Sequence, residues 1–559
     1  MAHNSWDRVV DVVVVGSGAA ALAAAIAAAE GGCQVEVLEK SAFIGGATAF
    51  SGGGVWVPMN RHMHDVGIED SREEALAYTR ASCRGGEPSP ELLEVYVDRS
   101  PEVLDFLESR TPVRFAASRF FSDYYQELPG AKLAGRTLDP RPFESRASLG
   151  EWDERIRRGP HYPRLTLDEL TGGGDAETDR GGGAGAVGLS TAALALSAER
   201  DRRGIRTLGG GLIAALLRGT LDRGVLVRTG MPALRLVLDG DRVTGVVTKQ
   251  GGTEVAVGAS RGVVLAAGGF EWNRELVRTF LGVPELKPAS PPTAVGDGLV
   301  MGMRVGAALA NMTTAWAFPV TWDERSTYEG EPLHSVATPR NFPGCITVNR
   351  HGRRFTNEGA SYMDFALVHR IFDPVTRSYP NAPPVWAIFD QDARERIELG
   401  DLRPGAPTPG WVHEAPTITD LAGAIGVDPD GLVDEVRRFN GHVANGNDPD
   451  FGRGTLWFEG FTGGGPRPQQ ALAPIARPPY FAVAIYDGAL GTAGGLRVDG
   501  HARVQSTAGG VVPGLYAAGN TAASVFGPGY PSGGATLGPA LTFGYLAGRH
   551  ASEVGSPPR

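Results

Sequence analysis

Asp11-Val-Val-Val-Val15 is a β-branched run that ends on Gly16, and it constrains the fold more than any other stretch. Such a run reads as a strand buried on both faces of a parallel sheet. Gly16-Ser-Gly18-Ala-Ala20-Ala21 follows, and an alanine-rich stretch then predicts a helix to Glu30, stopped by Gly31-Gly32. Gln34 to Leu38 reads as a second strand ending on Glu39. Strand, turn, helix and strand in this order make the βαβ unit of a doubly wound, Rossmann-like α/β sheet. Each small residue has a reason. Gly16 permits the sharp turn, Gly18 lets a pyrophosphate approach the backbone, and Ala20 and Ala21 let helix and strand pack closely. Glu39 is placed to accept hydrogen bonds from a ribose diol, and it would repel a 2′-phosphate.

A second glycine-rich stretch after Glu39-Lys40 favours FAD over NAD. Gly45-Gly46-Ala47-Thr48 and Ser51-Gly52-Gly53 are suited to wrapping the ribityl and ring end of a flavin. Ala233, and Ala267-Gly268 after the strand Gly262–Leu265, extend the candidate cofactor set. The far end of the chain adds Gly519-Asn520 and a helix start at Gly534 to Leu537, which would place positive backbone dipole under the flavin. Cofactor signals at both ends, with a different pattern between them, predict a discontinuous FAD-binding domain with an inserted α+β catalytic domain. The boundaries are 1–314 and 491–559 for the FAD-binding domain and 315–490 for the catalytic domain. Helices are expected over 71–83 and 88–110. Residues 150–204, with Arg155, Arg157, Arg158 and two Gly-Gly-Gly runs, read as a mobile surface insertion.

Composition removes several function classes. The formal charge is −10, so a general nucleic-acid binder is disfavoured. Glycine numbers 79 of 559 residues, about twice the usual share of roughly 7%, without a collagen period. The three cysteines, Cys33, Cys83 and Cys345, form no Cys-x-x-Cys pair, which points away from a metal site and toward a reducing, cytoplasmic setting. No apolar run approaches the roughly 20 residues of a spanning helix, and peripheral membrane contact stays open. No second dinucleotide fingerprint is present, so the electron acceptor is expected to be a quinone or similar carrier rather than NAD(P)H.

These motifs resemble the flavoproteins grouped as fumarate reductases and 3-ketosteroid dehydrogenases, over nearly the whole chain outside 150–204. Fumarate reductases carry an arginine proton donor shortly after an Arg-Phe-x-Asn-Glu motif. Here Arg354-Phe-Thr-Asn-Glu358 is followed by Tyr362 at that place. They also carry a histidine before Thr-x-Gly-Gly, where this chain has Gly491. Both cationic partners of a dicarboxylate are thus absent. The resemblance to 3-ketosteroid Δ1-dehydrogenases is better. It implies Tyr124 (or its neighbour Tyr125), Tyr362, and Tyr530 with Gly534 four residues on as the catalytic set. Tyr530 and the Gly534 N–H would hold the ketone oxygen, and Tyr362 would remove the α-proton. Tyr124 would lower the Tyr362 pKa, and the β-hydride would go to flavin N5. The implied substrate is an apolar 3-ketosteroid, with another cyclic ketone or enone as the alternative.

Overall fold

The computed structural model describes residues 6–86, 89–159, 163–170, 190–283, 285–335, 339–460 and 468–554. Its first sheet is built around Arg8–Val15, whose Val12, Val13 and Val14 are fully buried. That strand pairs in parallel with Val35–Leu38 on one side and Thr253–Leu265 on the other. Leu226–Arg228 and Val511–Ala517 extend the parallel array outward. Arg503–Gln505 closes one edge antiparallel, and the Ala233–Asp239 and Arg242–Gln250 hairpin pairs with the first half of the long strand Thr253–Leu265. The α/β class and the doubly wound core expected from the sequence are present.

Close packing explains the alanines. Helix Ala19–Glu30 lies against helix Leu537–Glu553. A Cβ on Gly544 or Gly548 would sit 2.3 Å from the Ala20 carbonyl oxygen or 2.1 Å from that of Ala24. Only glycine facing alanine lets these two backbones touch, and this contact fixes the end of the chain beside its first turn.

A second sheet is organised on the long strand Tyr480–Thr492. Ala315–Tyr328, Val385–Asp390 and Val412–Ala415 pair with it antiparallel, and Lys287–Pro288 pairs with it in parallel. A small antiparallel sheet of Val55–Trp56, Phe115–Ala117 and Thr137–Pro140 sits beside the cofactor half. The two expected helices are Arg72–Ser82 and Pro90–Arg110.

The reading of 150–204 as one mobile loop is corrected where the residues are described. Ile156 bridges to Ile44, and buried Arg157 donates to Ser41 (3.0 Å) and pairs with Glu329. Thr191–Arg203 is a helix, capped by the Ser190 hydroxyl accepting from the Ala193 N–H and ended by Gly204 at φ +71°. Arg157 is anchored by partners distant in sequence, which local composition does not reveal. The two Gly-Gly-Gly runs, 172–174 and 181–183, lie outside the described residues.

Candidate active site

A cavity of about 920 Å³ is lined by residues from the end of the first sheet, from the second sheet and from the start of helix Leu537–Glu553. This is at the upper end for small-molecule sites. Gly16, Gly18, Ala20, Glu39, Lys40, Gly46, Ala47, Thr48, Ser51, Gly52, Gly53, Ala233, Ala267, Gly268, Gly519, Asn520, Gly534 and Leu537 all line it. Ala21 and Gly45 are not among the lining residues. Ala21 is fully buried inside its helix. Gly45 is held in place by its N–H donating to the Ser17 hydroxyl (2.9 Å), and a Cβ there would lie 2.6 Å from that of Ala49.

The cradle suits a dinucleotide. Gly16 has φ +106°, and a Cβ on it would fall 2.3 Å from the Ala266 carbonyl oxygen. Gly18 differs, because a Cβ there would meet nothing closer than the Thr48 hydroxyl at 3.5 Å. The space in front of Gly18 is therefore room for an occupant. Glu39 is buried and oriented, accepting from the Ser17 hydroxyl (2.5 Å) and the Ser41 N–H (2.8 Å). Burial raises its pKa, against the pull of these bonds and of Arg157 and Lys40. Among the described residues no side chain caps helix Leu537–Glu553, whose first residue lines the cavity. Small residues before a helix start, a buried and oriented carboxylate after the second strand, and an uncapped helix start at the cavity fit the demands of FAD.

Three tyrosines meet at the other end of the cavity. The Tyr124 hydroxyl donates to the Tyr362 oxygen at 3.2 Å. The rings of Tyr124 and Tyr362 are 5.4 Å apart, as are those of Tyr362 and Tyr530, and Tyr124 and Tyr530 are 6.0 Å apart. Each comes from a different part of the fold. Tyr124 is tied by its N–H to the Pro531 carbonyl (2.9 Å), and the neighbouring Asp123 is held by Arg136 and Trp56. Tyr362 opens helix Tyr362–Val368. Tyr530 packs edge-on to Trp316, and its hydroxyl interacts with the Gly534 backbone and Thr536. Tyr125 lies outside the cavity lining, where Arg84 donates to its hydroxyl at 2.7 Å. Of the two candidates, only Tyr124 is brought to the cavity.

Gly534 has φ +96°, and a Cβ would fall 2.6 Å from the Trp56 nitrogen, so strand Val55–Trp56 dictates the glycine. One expectation changes. Tyr124 was expected to bring the Tyr362 pKa down. Burial wins, and together with the neighbouring phenols Tyr124 and Tyr530 it pushes Tyr362 well above the ordinary 10. Tyr124 and Tyr530 are also raised, first by burial. All three phenols are therefore neutral at pH 7.

The sequence reading missed Arg340. It is buried, lines the cavity and interacts with Tyr124 and Tyr362. Its guanidinium donates to the carbonyls of Glu358 and, at 3.2 Å, Ala360, just before Tyr362. Nearby, the Arg354 guanidinium pairs with Glu358 and Asp448, and Arg453 pairs with Glu358 through its guanidinium and donates its backbone N–H to Asp448. Burial pulls the Arg340 pKa down to about 10, which leaves it charged at neutral pH. Its Pro-Arg-Asn context carries no motif that could have flagged it. Glu271 was also missed. It is buried in the cavity wall and accepts from the Ser290 hydroxyl at 2.7 Å, and burial raises its pKa to about 7.

Residues 11–537 match the family model described as FAD binding domain. A 4-oxocyclohexanecarboxylate 2-dehydrogenase from Sinomonas cyclohexanicum is 38% identical, with 96% of this chain and 92% of the relative covered. A 3-oxosteroid 1-dehydrogenase from Mycobacterium tuberculosis is 34% identical, over 97% of this chain and 98% of the relative. Among solved structures, 3-ketosteroid Δ1-dehydrogenase from Sterolibacterium denitrificans in complex with 1,4-androstadiene-3,17-dione superposes with a TM-score of 0.88. It is 34% identical, with 98% of this chain and 99% of that chain covered.

Proposed function

Because this chain belongs to the family of FAD-dependent oxidoreductases that includes the 3-oxosteroid 1-dehydrogenases, we propose that it dehydrogenates ring A of a 3-ketosteroid between carbons 1 and 2. The observation that carries this reading is the meeting of the Tyr124, Tyr362 and Tyr530 side chains at one end of a cavity with apolar walls. Those walls include Phe121, Phe318, Phe458, Leu399 and Leu490.

The Tyr530 hydroxyl and the Gly534 N–H hold the ketone oxygen, where negative charge develops as the α-proton leaves. One such donor contributes roughly 10²–10³ in rate in related acyl-transfer sites. Tyr362, ionised to its phenolate before the step, receives the α-proton on that oxygen and becomes the neutral phenol. Its high pKa makes it a poor base until something favours its anion. Tyr124 supplies a hydrogen bond to that oxygen, and the charge of Arg340 supplies the electrostatic part. FAD, held by Gly16 to Ala20, Glu39 and Gly52-Gly53, supplies hydride acceptance when bound. A quinone is the proposed electron acceptor. In this reading 1–314 and 491–559 form the FAD-binding domain and 315–490 the catalytic domain.

A second reading, a smaller cyclic ketone bearing a carboxylate, is favoured by the 38% identical relative and by the Arg340 cation in the cavity. The wall of aromatic and leucine side chains favours the steroid. The test is anaerobic mixing of the yellow holoenzyme with 4-androstene-3,17-dione or with 4-oxocyclohexanecarboxylate. Faster bleaching by the steroid, with a product two hydrogens lighter in ring A, is expected. Faster bleaching by the carboxylate would install the second reading, and bleaching by neither would overturn both.

A further inference from the structure

Five of the large apolar side chains exposed among the described residues crowd into one segment: Leu367, Ile371, Phe372, Val375 and Tyr379. Val375 is 87% exposed, the highest value among those side chains. The segment is a tight hairpin. Asp373 and Ser378 bridge across it, and the Asp373 carboxylate accepts from the Val375 N–H (2.8 Å) and the Thr376 hydroxyl (2.6 Å). The rings of Phe372 and Tyr379 lie 5.2 Å apart on its stem. The base is fixed to the second sheet. His369 and Arg370 bond Asp487 at 3.1 Å, and Arg350 donates to the Tyr379 carbonyl at 2.9 Å. A rigid base therefore presents a convex apolar tip to solvent, and such patches mark contact surfaces.

We propose that this hairpin docks the enzyme on an anionic lipid bilayer, with Phe372, Val375 and Tyr379 entering the headgroup boundary. Charge selects this occupant. The chain carries −10 overall, yet the exposed Arg350 and Arg377 beside the tip form no ion pair within 4.0 Å among the described residues. Arginines free of ion pairs beside apolar and tyrosine side chains, with the tip's carboxylate, Asp373, engaged by the Val375 N–H and the Thr376 hydroxyl, suit an acidic headgroup layer. A second copy pairing about a two-fold axis through this tip would bring like arginines together. A peptide helix or strand needs a groove or sheet edge, whereas this surface is a protruding turn. No described helix is long and apolar enough to cross a membrane, so the contact is peripheral.

Co-flotation of the holoenzyme with phosphatidylcholine vesicles, with and without phosphatidylglycerol, tests this directly and does not depend on the substrate. Binding to the phosphatidylglycerol vesicles is expected, weakened by salt. It should fall roughly tenfold or more in Arg350→Ala/Arg377→Ala, and be lost in Phe372→Glu/Val375→Glu. Flavin absorbance and turnover should be unchanged in both, since none of these residues lines the cavity. Failure of the wild type to float, or undiminished flotation of the Phe372→Glu/Val375→Glu protein, would overturn the proposal. So would a dimer that the same variant converts to monomer in light scattering without lipid binding, which would assign the patch to a second copy.

Discussion

The two ends of the cavity are built on opposite principles. The cofactor end is made mainly of backbone and absent side chains: Gly16, Gly18, Gly46, Gly52, Gly53 and Gly268, with one oriented carboxylate, Glu39. The tyrosine end is made of large side chains from positions 124, 362 and 530, with the Arg340 charge acting on Tyr124 and Tyr362. Backbone sites are specified locally, because a turn and the helix after it are consecutive in sequence. Side-chain sites are assembled by the fold, and their electrostatics come from burial that no short motif encodes.

The largest effect that would sharpen this contrast is at the cofactor end. Gly18→Ala places a methyl where no protein atom lies within 3.4 Å, at an ordinary φ of −72°, so the apoprotein should keep its melting temperature. Flavin content should nevertheless fall to near zero, because the methyl occupies the ligand's space. Gly16→Ala should instead lower both, since its Cβ meets the Ala266 carbonyl and its φ is left-handed. If the two variants behaved alike in the apoprotein melt, the division into ligand-facing and fold-facing glycines would be broken.

A smaller effect is expected at the other end. Arg340→Gln removes the cation that favours the Tyr362 anion. A base must be deprotonated to work, so the rate rises with pH. Losing the cation should move that rise to higher pH by about one unit, costing about tenfold at pH 7. Arg340→Lys should restore part of the shift. A pH profile unchanged in Arg340→Gln, at full flavin content, would show that the arginine acts only through packing.

The same contrast explains what the sequence disclosed. The first βαβ unit, the glycines around it and the terminal helix were legible because strand period, helix former and turn residue agreed locally. The tyrosines were legible only through resemblance to a known family, and choosing Tyr124 over Tyr125 required the Arg84 contact that holds Tyr125 outside the cavity. Arg340 was not legible, since its meaning depends on Glu358, Ala360 and Arg453, which other elements bring to it. Helix Thr191–Arg203 was hidden by the glycine runs before it, although Ser190 and the alanines that follow are ordinary helix signals.

The central claim is that Tyr362 is the base. The most direct measurement is rapid anaerobic mixing of Tyr362→Phe holoenzyme with 4-androstene-3,17-dione, following flavin absorbance beside the wild type. The account predicts full flavin content, retained steroid binding and bleaching slowed by about 10³, within the usual range for losing a general base. Bleaching at the wild-type rate would contradict it and return the search for the base to the remaining polar groups of the cavity wall, Glu271 first.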